Sequence, residues 1–547
     1  MITPPCRHSY QKLIGTSTLL SRLILIALLA LLLLTVIRCA CQFYHPRFFW
    51  LDEAMLARSV ISRSFATLVT SPLDFGQSAP IGWLYFVKIF GVCGGYSEQS
   101  LRLFSYVSYL GCIAIIIAWC YEKSRSWSYA LFFACFFASS PFYLRYANEC
   151  KPYMSDNFWV IFTLFTYCLY RRGRVKEILM VAQFLTACLM SFPAVFAVAT
   201  CLICDFITLI NSLKRKKYVA WRPRVTRFGI ISAPVCAFLL LLYILWIAPA
   251  SRNAGNPEYW KLLSFPVIST KEPMATYWML THIFAPVKNN LHLLSYIVLV
   301  LALTANLLLC FVRGYIISAK VVLPLSCIAL VLIASSCGYY PIQDRLVQFI
   351  PLLMLLSAAH ALILLLEEHR LVANAFFVNL LRVSYLGVLI AICVPQGENI
   401  KRLLRGVAHS EVKTSFLDLY SKQFDKADML FVNKTGVPLL DYLTSYPSGF
   451  SKWDRVSHQR GKVFYGPRLN LYYFQIPYSY DAEIDEKAYW ESVNAIKDST
   501  TALLFFSHES DDIILEDLKK FGVIKPVYDN QGIRMYTYSC NALKEGA

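Results

Sequence analysis

The sequence predicts a polytopic α-helical membrane protein of about eleven spans, with interfacial helices and a small C-terminal α/β domain outside the bilayer. Three observations carry that prediction. Of 547 residues, 57% are hydrophobic and only 16% charged, against roughly 45–50% and about 25% in soluble domains; the mean hydropathy is +0.50. Apolar runs long enough to cross a bilayer recur along the chain. From residue 396 onward, charge and turn residues return. Two regions follow: 1–395 within and along the membrane, and 396–547 outside it.

The net charge of +18 arises from 52 basic and 34 acidic residues. Nucleic-acid binding does not follow from it, because many of the basic side chains fall in short loops between apolar runs. Membrane orientation and anionic lipid explain them there. The 18 cysteines are scattered, many inside apolar runs, and form no CxxC pair. They read as small apolar fillers, not as a disulfide framework or a zinc site.

The expected spans are 19–37, 101–121, 127–144, 155–170, 177–192, 194–211, 228–248, 291–312, 320–337, 346–366 and 375–394. No small-residue cleavage site follows the first, so it reads as an anchor and not as a signal peptide. The segment 79–92 is short and contains Lys88, which suits a helix lying at the interface. Parity agrees with that placement. If 79–92 does not cross, Lys123, Arg125, the Arg171–Arg174 loop, the Lys214–Lys217 loop and Arg370 all share the side of the N-terminus, the cytoplasmic side by the positive-inside rule. The first loop (38–98), the turn Arg145–Lys151, the loop 249–288 and the turn Tyr339–Arg345 then share the outer face with the C-terminal region. Residues 53–69 read as one amphipathic helix with Ala57, Ile61, Phe65 and Leu68 on one face, stopped by Pro72.

In the C-terminal region, 429–432 and 502–506 read as strands, and 485–497 and 511–521 as helices, the latter ending before Gly522. Residues 524–528 and 533–538 flank Asp529-Asn530-Gln531-Gly532, a hairpin signature. Asn433-Lys434-Thr435 matches a glycosylation sequon, a pattern short enough to arise by chance.

The most informative residues are Asp52 and Glu53, at the membrane exit of the first span in Phe48-Phe49-Trp50-Leu51-Asp52-Glu53. An acid starting a helix can be a simple cap that suits the helix dipole. One acid suffices for that, however, and adjacent residues project to different sides of a helix. Asp52 can serve as a general base on an acceptor hydroxyl, with Glu53 orienting it or sharing a hard divalent cation.

The same stretch carries a resemblance. Leu51-Asp52-Glu53-Ala54-Met55-Leu56-Ala57, then Gln77-Ser78-Ala79-Pro80-Ile81-Gly82-Trp83-Leu84, then Ser97-Glu98-Gln99-Ser100-Leu101-Arg102-Leu103-Phe104-Ser105 are similar, in order and spacing, to the first outer loop of the GT-C superfamily of membrane glycosyltransferases. The group most resembled contains protein O-mannosyltransferases, aminoarabinose transferases of lipid A and Rgt-type bacterial enzymes. The resemblance implies a GT-C-like catalytic domain and transfer of a hexose or pentose from a polyprenyl-phosphate carrier, with inversion. The acceptor would be a lipid, glycan or protein outside the cytoplasm, and the home a bacterial plasma membrane. It implies Asp52 and Glu53 as catalytic. One departure stands out: those families carry Glu-Lys-Pro-Pro or His-Pro-Pro where this chain has Gln77-Ser78-Ala79-Pro80, so a basic group is missing.

A departing polyprenyl phosphate needs a cation. Arg345, Arg102 and Lys88 are the expected phosphate ligands, with Arg145 and Lys151 also on the outer face; Arg345 resembles the family's late-loop arginine. The alternative for each is an interfacial anchor that snorkels to lipid headgroups, and Arg345 is favoured as the phosphate ligand. Glu149, Lys151 and Gln77 are candidates for contact with substrate or metal. Asp156 reads as a helix-start residue, and His45, His282 and His360 as structural. The rival reading is a transporter or flippase of lipid-linked saccharides. Such proteins carry ionisable groups near mid-membrane, whereas here the charge clusters outside the spans.

Overall fold

The computed structural model describes residues 18–44, 48–74, 77–214, 218–247 and 319–368, and in the C-terminal region parts of 418–439, 464–474 and 493–540. The expected spans 291–312 and 375–394, the loop 249–288, the 215–217 part of the basic loop, Arg370, His45, His282, Lys434 and most of 485–497 lie outside the described residues.

All the other expected spans coincide with observed helices: α1 Thr18–Tyr44, α5 Glu98–Ser124, α6 Trp127–Ala138 with α7 Pro141–Ala147, α8 Tyr153–Arg171, α9 Glu177–Met190, α10 Ala194–Lys214, α11 Tyr218–Leu242, α12 Ala319–Ser336 and α13 Phe349–Glu368. Among the described residues, 4 helices are long and apolar enough to cross a membrane, or 5 counting α6 and α7 as one broken span. The protein is therefore a membrane protein of several apolar helices.

Two predicted helices are broken. The run 127–144 bends by 71° between α6 and α7. Ser139 and Ser140 end one helix, and Pro141, which needs no amide donor in a first turn, starts the next. The amphipathic helix expected over 53–69 is two, α2 Leu51–Ser62 and α3 Phe65–Thr70. Ser64 restarts it by accepting from the Thr67 amide at 3.2 Å, the N-cap role that competes with a continuous helix. Arg63 ties the break to Asp74 at 2.9 Å. The single apolar face does not survive: Ala57 and Leu68 are buried, whereas Phe65 is exposed.

The helix α4, Ile81–Cys93, stays at one end of the bundle. Its approach, Gln77, meets Lys151, and its exit leads directly to Ser97, the cap of α5. Both ends of α4 thus lie where α5 begins. A side chain on Gly82 would collide with Met190 Sδ at 2.4 Å, so α4 rests directly on the end of α9. Helix α5 then runs about 40 Å to the other end. There Glu122 gathers Lys320 at 2.8 Å, Arg172, and Arg174 at 3.4 Å, and Asp205 meets Arg171 at 2.7 Å. Among the described residues, the basic loop Arg171–Arg174 and the acid pair therefore stand at opposite ends of the bundle.

The C-terminal residues form a six-stranded sheet of order β2-β3-β1-β4-β6-β5, with β1 Met429–Asn433, β2 Phe464–Tyr465, β3 Asn470–Phe474, β4 Thr501–Ser507, β5 Gly522–Asn530 and β6 Ile533–Cys540. β1 lies parallel to β3 and β4, while β5 and β6 form the antiparallel hairpin. Gly522 opens β5 after α14, Asp512–Lys519. Strand alternation splits the sheet's side chains. Ala502, Leu504 and Phe506 bury against Ile514, Leu515 and Leu518 of α14. Leu503, Phe505, Ile533 and Met535 join the buried cluster of Phe48, Phe49, Leu56 and Leu68. The sheet thus lies on the same end of the bundle as Asp52.

Candidate functional site

Helix α2 starts where Trp50 is extended and its amide donates to Glu53 Oε2 at 2.9 Å. That bond closes the first turn and places two acids at the positive end of the helix. Glu53 points inward and is fully buried. Arg102 Nε donates to its Oε1 at 2.9 Å and Nη2 to its Oε2 at 3.0 Å. The Cys150 amide donates to Oε1 at 2.7 Å. The Arg102 guanidinium also lies over the Phe49 ring at 4.7 Å.

Asp52 projects the other way. Its Oδ2 accepts from Arg345 Nη1, although the two residues stand 293 positions apart. Arg345 sits on the turn between α12 and α13, where Nε donates to Gln343 Oε1 at 3.2 Å. Gln348 anchors that turn: its side chain donates to the Arg345 carbonyl at 3.0 Å and accepts from Asn157 at 3.0 Å, and its carbonyl accepts from Tyr143 at 3.0 Å.

The turn after α7 completes the site. Ser105, one turn beyond Arg102 on α5, donates to the Lys151 carbonyl at 3.0 Å. Lys151 Nζ donates to Gln77 Oε1 at 2.6 Å, and Arg145 Nε to Glu149 Oε1 at 3.0 Å. Burial pushes the Lys151 amine below the ordinary lysine range; Asp52 opposes that shift and Arg345 adds to it.

Trp50, Asp52, Glu53, Arg145, Tyr146, Glu149, Lys151, Tyr153 and Arg345 line a pocket of about 250 Å³ of empty space, part of it open to solvent. It brings together Asp52, Glu53, Arg345, Glu149 and Lys151 from the sequence-derived set, with Gln77 touching its edge through Lys151. Arg102 lies behind it, clasped to Glu53. Lys88 is buried elsewhere, donating to the Val60 and Ile61 carbonyls at 2.7 and 3.2 Å beneath the Tyr96 ring. Among the described residues, no group of three or more His, Cys, Asp or Glu stands ready to hold a metal ion. Sequence reasoning missed Tyr153 and Gln348. A lone glutamine opening the apolar run 346–366 is the signal that could have found Gln348.

Together these features define a membrane protein with a charged pocket at one end of an apolar helix bundle. In overall arrangement the chain is similar to ArnT from Cupriavidus metallidurans in the apo state, with TM-score 0.49, 13% identity, and 92% of this chain and 97% of that chain covered. It is similar also to the same protein bound to undecaprenyl phosphate, with TM-score 0.48, 12% identity, and 94% and 98% covered. No family model and no curated protein matches the sequence.

Proposed function

We propose that the protein is an integral-membrane glycosyltransferase that takes a sugar from a polyprenyl-phosphate carrier and passes it to an acceptor hydroxyl on the extracytoplasmic side. The observation that carries this reading is the meeting of Asp52 and Arg345 inside a pocket at the end of the bundle away from the Arg171–Arg174 loop. A carboxylate and a guanidinium side by side are the two groups such a reaction needs. Asp52 accepts the proton of the acceptor hydroxyl as its oxygen bonds to the anomeric carbon. The bond from that carbon to the phosphate oxygen breaks on the opposite face, and configuration inverts. Arg345 holds the departing phosphate, whose charge grows in the transition state. Glu53 and Arg102 act in this scheme by fixing the start of α2.

The test is Asp52→Asn in membranes supplied with polyprenyl-phosphate sugars. Transfer should fall by about 10²- to 10⁴-fold, with binding of the carrier lipid retained. Unchanged transfer overturns the reading. Movement of a lipid-linked saccharide across the membrane without transfer would put a transporter in its place.

A further inference from the structure

The pocket's acids are each matched by an arginine: Asp52 by Arg345, Glu53 by Arg102 and Glu149 by Arg145. Lys151 is the cation left over. It is 5% exposed, and among the described residues its ammonium has one hydrogen-bond partner, the neutral side-chain oxygen of Gln77 at 2.6 Å. An ammonium carries three N–H donors. Taking it out of water with a single neutral partner is unfavourable unless an anion completes it. The backbone on which it stands is held in place by Ser105, through its own carbonyl, and by Glu53, through the amide of the preceding Cys150. The side chain is therefore aimed at the pocket by two bonds from the protein's interior, and Gln77 steadies its tip.

We infer that Lys151, oriented by Gln77, is the cation that receives the phosphate monoester of the carrier lipid. This rests on the glycosyltransferase reading and adds to it the residue that binds the carrier in the ground state. Arg345 is paired with Asp52, whereas among the described residues the Lys151 ammonium makes no ion pair and bonds only the neutral Gln77 oxygen. Because the tips of residues 77 and 151 meet at hydrogen-bond distance, the two positions form one locus, and the charge can be carried from either.

The experiment uses the full-length protein in lipid nanodiscs and compares binding of a polyprenyl monophosphate with that of the uncharged polyprenol of equal length. The wild type should prefer the phosphate. Lys151→Gln should weaken phosphate binding by about 10- to 100-fold and leave polyprenol binding as it was. Lys151→Arg should recover part of the loss, and the exchange Gln77→Lys with Lys151→Gln should recover most of it. Equal binding of the two lipids by the wild type overturns both this inference and the reading beneath it. Phosphate-selective binding untouched by Lys151→Gln overturns this inference alone. So does a loss that neither Lys151→Arg nor the exchange restores, since a purely structural lysine would behave that way.

Discussion

Glu53 and Arg102 form a forked ion pair with both side chains fully buried. Both Glu53 oxygens are occupied, by Arg102, by the Trp50 amide and by the Cys150 amide. One carboxylate thus fastens the start of α2, the second turn of α5 and the segment leading to Lys151. The division of labour between adjacent acids follows: Glu53 holds the frame, and Asp52 is left facing the pocket.

Removing one partner of that pair leaves a buried, unmatched charge, which costs about 3–5 kcal/mol. Glu53→Gln and Arg102→Met should each destabilise the fold by that order, seen as a lowered unfolding midpoint and a reduced yield of folded protein. The double variant should be less destabilised than the sum of the singles, because it leaves no orphaned charge. A midpoint for Glu53→Gln equal to wild type would contradict the clamp.

Lys88 separates a structural cation from a binding one. It donates to the Val60 and Ile61 carbonyls at the end of α2, as Glu53 accepts the Trp50 amide at its start. Lys88→Met should cost about 1–3 kcal/mol for the two carbonyls left without a donor, while the affinity for polyprenyl phosphate holds. Loss of lipid affinity at unchanged stability would mean that Lys88 meets the phosphate.

These residues show how much was legible beforehand. The apolar runs announce the helices because the bilayer imposes their length, and Ser139-Ser140-Pro141 contains the signal for the bend. Acids at a membrane exit single out Asp52. The sign of a charge, though, does not reveal which way it faces. Lys88, Arg102 and Arg345 look alike as outer-face cations, yet two of them turn to the protein's own acceptors and one turns to the pocket. That choice is set by contacts such as Glu53 with Arg102, 49 residues apart, which no local pattern records. The strands Phe464–Tyr465 and Asn470–Phe474 were equally illegible, lying in a stretch without clear alternation.

The buried amine of Lys151 gives a pH dependence with a definite sign. Its folded-state pKa lies below that of the unfolded chain, so the unfolded state holds the proton to higher pH. Lys151 therefore weakens the fold near neutrality, and that cost fades as pH rises from its lowered value to the ordinary lysine range. Phosphate binding runs the other way, because only the ammonium attracts the anion. Affinity for polyprenyl phosphate should decline on the alkaline side at a pH below that of a free lysine. In Lys151→Arg the decline should vanish, since a guanidinium keeps its proton. A wild-type affinity flat up to the ordinary lysine range would remove Lys151 from the phosphate.

Arg345 touches Asp52, so the two cannot act independently. Arg345→Gln removes the guanidinium proposed to meet the leaving phosphate, a loss of about 10²- to 10³-fold in kcat if it resembles removal of one transition-state donor. Arg345→Lys keeps the charge but gives up the forked donor geometry, and should fall between wild type and Arg345→Gln. Residues in direct contact give non-additive effects. The double variant Asp52→Asn with Arg345→Gln should therefore lose less than the product of the single losses, as measured by kcat/KM for sugar transfer. Strict multiplication of the two losses would show that Asp52 and Arg345 act independently of each other in the reaction, and the contact between them would then carry no part of it.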